Sequence, residues 1–250
     1  MQSIIQIEKA SKTFKDKSVF KDVNISIQKG SCIGFSGYNG CGKSVLLKCI
    51  CGFSLLNQGR IICNNKTINK DIDFIQDTGI IIETPEFIND LTGYKNLKII
   101  AEIRNVIDDK DILKTMEILD LEKDKDKKVG KYSLGMKQKL RIAQAIMEKP
   151  KILILDEPTN GLDKRSVVIV REILKKFIKK GGTLVMTSHN KEDMDILCDQ
   201  VYEYDNYNFY MKSKWRESQL TMLPGKTPTS SKIQNLARRL KILARLLDTP

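Results

Sequence analysis

A chain of 250 residues with 41% hydrophobic residues is long enough for one large domain, or one domain with a small appendage, without disulfides or a metal. Its longest apolar runs, such as 152–155, are of strand length, so no membrane-spanning helix is predicted, and its start shows no secretory signal. The formal net charge is +12. No Cys-x-x-Cys pair occurs among the six cysteines, and the single histidine cannot complete a zinc finger, so a reduced, cytoplasmic protein is favoured.

The N-terminal part is predicted to consist of short strands around a glycine-rich loop. Apolar residues over 4–7 and an alternating pattern over 23–27 predict two strands. A strand over 31–36 runs into the glycine-rich loop, and a helix is predicted from Lys43 to about Cys51. Asn57-Gln58-Gly59 predicts a turn.

The middle of the chain has a helical pattern. Apolar residues at helical spacing predict helices over 96–104 and 111–121, and a third helix from Leu140 to Met147. The charged run 122–128 predicts a solvated loop.

The last part of the body returns to alternating strands and helices. Buried strands are predicted over 152–155 and 183–187, with a helix over 166–180 between them. Such alternation favours a mainly parallel sheet in an α/β fold. We therefore predict one nucleotide-binding domain over 1–210 with a helical subdomain at about 85–147, and a basic tail over 211–250.

The segment 37–44, GYNGCGKS, fits the phosphate-binding pattern G-x-x-x-x-G-K-[ST] and lies between a predicted strand and a predicted helix. Glycines allow backbone N–H groups to surround phosphate oxygens, and a helix N-terminus adds positive partial charge. Lys43 is predicted to reach the β- and γ-phosphates, and the hydroxyl of Ser44 to bind Mg²⁺.

Two acidic residues follow the buried strand 152–155. Asp156 is predicted to hold Mg²⁺ at the phosphate end of the strand. Glu157 is suited to polarise a water molecule that attacks the γ-phosphate.

Further motifs make the chain resemble the ABC transporter ATP-binding proteins over roughly residues 4–204. Tyr132–Gln138 resembles the signature sequence of that family, 156–163 (DEPTNGLD) resembles its Walker B motif and D-loop, and Ser188-His189 resembles its H-loop. The resemblance implies a P-loop NTPase fold with an N-terminal antiparallel β part, a mainly parallel sheet and an inserted α-helical subdomain. It also implies ATP and Mg²⁺ as cofactors and ATP hydrolysis coupled to transport.

The resemblance assigns roles to residues. Glu157 and His189 are predicted to be catalytic, and Ser44, Glu83 and Asp156 to bind the metal. The residues predicted to bind ATP are Phe14, which would stack on adenine, and Gly37, Tyr38, Asn39, Gly40, Cys41, Gly42, Lys43, Ser44 and Val45.

The partners are also implied by the resemblance. Two such domains enclose two ATP molecules, so Ser133, Gly135 and Met136 of one subunit are predicted to meet the ATP of the other. An integral membrane permease is the second predicted partner, with the chain at the cytoplasmic face of the membrane, and no nucleic acid is expected.

Three departures from the family pattern indicate a particular branch. Leu134 and Met136 stand where the family usually has glycine and glutamine, and Glu83 stands at the position of the Q-loop glutamine. These features resemble the bacitracin- and lantibiotic-export or immunity branch, which is associated with antibiotic resistance. Hydrolysis is expected to let the dimer open, and the region around 83–94 to transmit that opening to the permease.

Two other functions fit parts of the sequence. Asn190-Lys191-Glu192-Asp193 matches the guanine-binding pattern of GTPases, although no Asp-x-x-Gly follows the phosphate loop at the usual place. A soluble ABC ATPase that acts as an assembly or regulatory clamp would share all the other motifs. Co-purification with a membrane protein would separate that function from transport.

The tail differs from the body in composition. From Met211 onward, nine basic and two acidic residues give a net charge of +7. A linker over 224–231 precedes an apolar stripe at helical spacing over 233–247. The stripe predicts an amphipathic helix that lies on an anionic membrane or partner, or packs on its own domain; alternatively, the tail is a sequence foreign to the domain.

Overall fold

The computed structural model describes residues 2–83 and 87–214. The linker and amphipathic helix predicted within 211–250 lie outside the described residues, as do residues 84–86 of the segment expected to transmit the opening of the dimer to the permease. The described chain forms two compact units: the first contains residues up to 83, 150–159 and 174–214, and the second contains 87–149 and 160–173.

Two sheets make up the first unit. Four strands, β1 (Ser3–Phe14), β2 (Lys17–Gln28), β4 (Gln58–Cys63) and β5 (Lys66–Thr67), form an antiparallel sheet in the order β2-β1-β4-β5. The alternating apolar residues of β1 and β2 face the core; Ile5, Ile7 and Ile27 are buried. This sheet is the predicted N-terminal antiparallel part.

The second sheet has six strands in the order β10-β9-β3-β8-β7-β6. Its strands are β3 (Cys32–Ser36), β6 (Thr78–Ile81), β7 (Ile152–Leu155), β8 (Thr183–Thr187), β9 (Gln200–Asp205) and β10 (Asn208–Lys214). The five strands from β9 to β6 are parallel, and β10 pairs with β9 in the antiparallel sense. The predicted mainly parallel sheet is therefore confirmed, and β10 continues to Lys214, past the residue at which the tail is predicted to begin.

Helix α1 (Lys43–Cys51) has the predicted bounds and buries Leu46, Leu47 and Ile50 in the core of the first unit. Helix α6 (Lys191–Leu197) lies between β8 and β9. Helix α5 (Lys164–Lys179) begins in the second unit and ends in the first.

The second unit is built from α2 (Gly93–Arg104), α3 (Asp109–Ile118) and α4 (Leu134–Ile146), with short 3-10 turns at Glu122–Asp124 and Val129–Lys131. Each helix is preceded by a polar residue whose side chain accepts a backbone N–H of the first turn: Thr92, Asp108 and Ser133. These caps start the helices earlier than their apolar spacing alone predicts. The largest difference is at α4, because it begins at Leu134 and not at Leu140.

The turn predicted at Asn57-Gln58-Gly59 is wrong, since Gln58 and Gly59 belong to β4 and Gln58 pairs with Ser11 of β1. The register shifts between Glu8 and Ser11, and Gly59 has a φ of 83° opposite this irregularity. A Cβ at Gly59 would lie 2.3 Å from the carbonyl oxygen of Lys9. The glycine therefore serves a β-bulge and not a turn.

Candidate functional site

The glycine-rich loop 37–44 leaves β3 and leads into α1 through a backbone that requires glycine. Gly40 and Gly42 have φ angles of 77° and 113°, in the left-handed region that residues with a Cβ disfavour. A Cβ on Gly42 would come within 2.4 Å of Val19 Cγ1. Because Gly42 immediately precedes α1, the unpaired N–H groups at the start of that helix follow directly on the loop.

The ammonium group of Lys43 is held by the loop itself. The side chain is buried, and Nζ donates to the carbonyl oxygens of Gly37 at 2.7 Å and Tyr38 at 3.0 Å. Phosphate oxygens form stronger bonds with an ammonium than neutral carbonyls do. Lys43 is thus pre-positioned to bind an anion at the loop.

The carboxylates of Asp156 and Glu157 stand at the carboxyl end of β7, whose four residues are all buried. Thr187, the last residue of β8, donates from Oγ1 to Asp156 Oδ1 at 2.5 Å. Thr187 Oγ1 also accepts the backbone N–H of Glu157 at 3.0 Å. Both acidic residues are therefore tied to the neighbouring strand.

Glu157 and His189 face each other. His189 Nε2 lies 3.3 Å from Glu157 Oε1, and the backbone N–H of His189 donates to Glu157 Oε2 at 3.2 Å. Burial raises the pKa of Glu157 above its ordinary value of 4.5; the bond from the His189 N–H opposes this rise, and the charge of Asp156 adds to it. A carboxylate with a raised pKa in a cleft is suited to accept a proton.

The raised pKa predicts a pH-dependent effect of Glu157→Gln on stability. The folded state binds the Glu157 proton more tightly than the unfolded state, so the wild type loses stability as the pH rises from 4.5 through the higher folded-state pKa. The glutamine side chain of the variant does not ionise, so the variant does not lose this stability. Its melting temperature should exceed that of the wild type at pH 7, by about 2–4 °C for each kcal/mol gained in a domain of this size.

The gap between the two melting temperatures should close as the pH is lowered to about 4, and thermal unfolding at several pH values measures it. Glu102→Gln, which removes an exposed carboxylate of α2, is the control. A gap at pH 7 that is equal for both variants, or one that widens at low pH, contradicts the assignment.

The loop, the two carboxylates and His189 line one cleft of about 380 Å³ in the first unit. Its lining consists of Phe14, Lys17, Val19, Asn39, Gly40, Gly42, Lys43, Ser44, Val45, Asp156, Glu157 and His189. Phe14 is half exposed, with Lys12 Nζ 4.6 Å from the centroid of its ring. The cleft therefore joins an aromatic face, a cationic loop and a carboxylate pair. The sequence does not predict that Lys17 and Val19 line the cleft, because they lie on β2 outside any recognisable motif.

Four predicted site residues of this unit do not line the cleft. Gly37, Tyr38 and Cys41 belong to the same loop as Lys43 but are not part of the cleft wall, and Cys41 is buried. Glu83 follows β6, is exposed, and forms a salt bridge with Lys48 of α1. The structure thus gives Glu83 a cationic partner on the helix that carries Lys43.

The predicted signature residues lie in the second unit, at the start of α4. Ser133 Oγ accepts the backbone N–H of Met136 at 3.2 Å, so the signature begins the helix. A Cβ on Gly135 would lie 3.3 Å from the carbonyl oxygen of Gly161. Leu134 is 66% exposed. The signature thus combines a helix N-terminus with an exposed apolar side chain.

The Asn190-Lys191-Glu192-Asp193 segment has a structural explanation. The side chain of Asn190 accepts the backbone N–H of Glu192 at 2.9 Å and caps α6. The carboxylate of Asp193 is fully buried and accepts hydroxyl bonds from Thr159 at 2.5 Å and Ser188 at 3.0 Å. These contacts hold the residues that follow β7 and β8, which accounts for the motif without a guanine base.

Comparisons with known proteins agree with this site. The family profile described as ABC transporter matches residues 20–160, more than half of the chain. The chain belongs to the ABC transporter family. The Bacillus subtilis ABC transporter ATP-binding protein YybJ, which is uncharacterised, is 39% identical over 203 residues, covering 81% of this chain and 93% of YybJ.

Two relatives have names that state a transport role. The bacitracin transport ATP-binding protein BcrA of Enterococcus faecalis is 35% identical, covering 80% of this chain and 66% of BcrA. The lantibiotic transport ATP-binding protein SrtF of Streptococcus pyogenes is 33% identical, covering 79% of this chain and 85% of SrtF. Among solved structures, the ADP conformation of the ATP-binding cassette MJ1267 is 25% identical with a TM-score of 0.70, covering 84% of this chain and 90% of that one.

These findings confirm the predicted family, the P-loop α/β fold and the activity of an ABC ATPase that binds ATP. They also remove the GTPase interpretation of residues 190–193. Within the described residues, no helix reaches the length and apolar character that crossing a membrane requires.

Proposed function

We propose that this chain hydrolyses ATP in its 380 Å³ cleft and drives an integral membrane permease that exports, or confers immunity to, an antibiotic peptide. The observation that carries the catalytic part is the pairing of Glu157 with His189 beside Lys43 in one cleft. The transport roles in the names of BcrA and SrtF support the export part.

Adenine and the phosphates of ATP each have a matching surface in the cleft. The exposed ring of Phe14 is offered to adenine, since aromatic side chains stack on the faces of bases. The ammonium of Lys43 and the N–H groups at the start of α1 are offered to the phosphates. Asn39, Gly40 and Gly42 of the loop also line the cleft, as does Val45, which follows the loop in α1.

The cleft also fits Mg²⁺. Ser44 and Asp156 both line it and present hydroxyl and carboxylate oxygens, the donors that this cation prefers. Mg²⁺ would neutralise charge on the phosphates when bound. Glu83, the other predicted ligand, forms a salt bridge with Lys48 and would have to release Lys48 in order to bind the metal.

The proposed chemistry at Glu157 is general-base catalysis. One of its carboxylate oxygens takes a proton from the attacking water molecule, and the raised pKa strengthens its affinity for that proton. His189 Nε2, 3.3 Å from Oε1, would hold this carboxylate in place, and its imidazole would contact the γ-phosphate of bound ATP.

We further propose that two copies act together. The signature residues Ser133, Gly135 and Met136 would close the cleft of the second copy, because the N-terminus of α4 favours the negative charge of a phosphate. Leu134, exposed beside them, would add an apolar contact between the copies.

The permease is proposed to contact an exposed apolar cluster of the first unit. Phe53, Leu55 and Phe74 are all more than half exposed, and the rings of Phe53 and Phe74 lie 5.7 Å apart. Neighbouring exposed aromatic residues are characteristic of protein–protein interfaces.

Co-expression with a candidate integral membrane permease tests this proposal. We expect the two to co-purify, and the Phe53→Ser/Phe74→Ser double variant to reduce recovery at least about tenfold, as loss of central interface aromatics does. Its ATP hydrolysis in isolation should remain normal. Tyr210→Ser is the matched control, since Tyr210 and Phe53 are both 53% exposed.

Two outcomes contradict the permease proposal. The wild type could fail to co-purify with the membrane protein while it hydrolyses ATP, and the soluble ABC ATPase that acts as a clamp would then be favoured. Equal losses in the double variant and in Tyr210→Ser would place the contact elsewhere.

A further inference from the structure

Thr187, at the end of β8, is a fully buried polar residue that bonds to both carboxylate-bearing residues of the cleft. Its hydroxyl donates to Asp156 Oδ1 at 2.5 Å and accepts the backbone N–H of Glu157 at 3.0 Å. A hydroxyl group has one donor and two acceptor positions. Thr187 Oγ1 therefore bonds to Asp156 and to Glu157 at the same time.

The register of the sheet fixes this arrangement. Strands β7 and β8 are parallel, and Leu155 pairs with Met186. Asp156 and Thr187 each follow one member of that last pair, so the hydroxyl is delivered by two buried strands and not by a surface loop. Groups carried on packed strands are positioned more precisely than groups carried on loops.

Glu157 needs such support because its backbone is strained. Its φ is 48°, in the left-handed region that is unfavourable for a residue with a Cβ. The bond from its N–H to Thr187 holds the residue in this conformation on one side. The bond from the His189 N–H to Glu157 Oε2 holds the carboxylate on the other.

We infer that Thr187 is a positioning residue for ATP hydrolysis, whose hydroxyl orients the Asp156 carboxylate and fixes the strained backbone of Glu157. Thr187 does not line the cleft, so it acts through these two residues and not on the nucleotide. The inference rests on the roles proposed above for Asp156 and Glu157.

The test compares Thr187→Val, which keeps the shape of the side chain without its hydroxyl, with Thr187→Ser, which keeps the hydroxyl. Turnover of Mg-ATP and equilibrium affinity for ATP are measured on the full chain. In Thr187→Val, kcat should fall about 10–100-fold, as is usual when a supporting hydrogen bond to a catalytic group is lost. ATP affinity should change by less than about threefold, and Thr187→Ser should stay within about threefold of the wild type in both measurements.

A second measurement detects the route of the effect. The part of the effect that passes through Glu157 should be absent in a Glu157→Gln background, so Thr187→Val should lower kcat by a smaller factor there than in the wild type, because residues that act as a unit are not additive. The Mg²⁺ concentration that gives half of the thermal stabilisation by ATP should also rise in Thr187→Val, since Asp156 is no longer oriented. Thr187→Ala replaces Thr187→Val under the same criteria if the valine variant does not fold.

Wild-type kcat in the variants without the hydroxyl overturns the inference. An equal loss of kcat in Thr187→Ser also overturns it, as does a loss of ATP affinity as large as the loss of kcat, since either indicates a general packing defect. Glu157→Gln, measured in the same series, separates the two claims. If it turns over normally, the proposed function fails; if it is slow while Thr187→Val is normal, only the inference fails.

Discussion

Replacing Glu157 by glutamine should reduce ATP turnover by about 10²–10⁴-fold, the range that a positioned general base contributes. Glutamine keeps the size of the side chain and an oxygen that can accept the N–H of His189, which now lies 3.2 Å from Oε2. It cannot take a proton from water. Phosphate release under saturating Mg-ATP measures the loss, and ATP affinity should stay within about threefold of the wild type.

The control for this variant is Glu192→Gln. Glu192 is an exposed acidic residue of α6 and does not line the cleft, so its turnover should remain within about twofold of the wild type. Because the γ-phosphate is retained, Glu157→Gln should also accumulate as an ATP-bound dimer in sedimentation experiments. Unchanged phosphate release in Glu157→Gln would refute the assignment of the general base.

Lys43→Ala should lower the affinity for ATP by about 100-fold, since bonds between a charged group and phosphate contribute about 1.5–3 kcal/mol each. The effect differs in kind from that of Glu157→Gln because the lysine binds phosphate and takes no part in proton transfer. The ammonium also bridges the carbonyls of Gly37 and Tyr38, so the melting temperature of the variant has to be measured beside its affinity.

Lys17→Ala is the matched control for Lys43→Ala. Lys17 lines the same cleft but is exposed, and an exposed charge contributes at most about 1 kcal/mol, or roughly fivefold in affinity. Calorimetric titration with ATP compares the two variants. Equal affinities of Lys43→Ala and Lys17→Ala for ATP would mean that Lys43 does not bind the phosphates.

The elements that the sequence predicts well are those set by local rules. Helix α1 begins after Gly42 and ends before Gly52, both with left-handed backbones, and its predicted bounds agree with the structure. The strands 152–155 and 183–187 are continuous apolar runs, and both are found as predicted. Short-range patterns of this kind need no knowledge of the rest of the fold.

Long-range pairing is what the sequence does not reveal. β1 and β2 are longer than their apolar segments, because they pair with each other along their whole lengths, from Ser3 with Gln28 to Phe14 with Lys17. The bulge at Gly59 belongs to the pairing of β4 with β1, so the local sequence alone predicts a turn there. At α4, the capping contact of Ser133 with Met136 starts the helix at the signature itself, whereas the apolar spacing begins to be helical only at Leu140.

The candidate site divides in the same way. Lys43, Asp156 and Glu157 could be predicted because each stands at a fixed place in a motif. Thr187 could not, since its contact with Asp156 depends on which strand lies beside β7. Lys17 enters the cleft from β2 for a similar reason.

The most direct test of the central claim identifies the nucleotide that stays on the purified chain after incubation with Mg-ATP and rapid gel filtration. Chromatography of the extracted nucleotide should give ADP from the wild type, intact ATP from Glu157→Gln, and little nucleotide from Lys43→Ala. ADP recovered from Glu157→Gln as readily as from the wild type, or ATP retained in full by Lys43→Ala, would contradict an ATP-hydrolysing cleft built on these two residues.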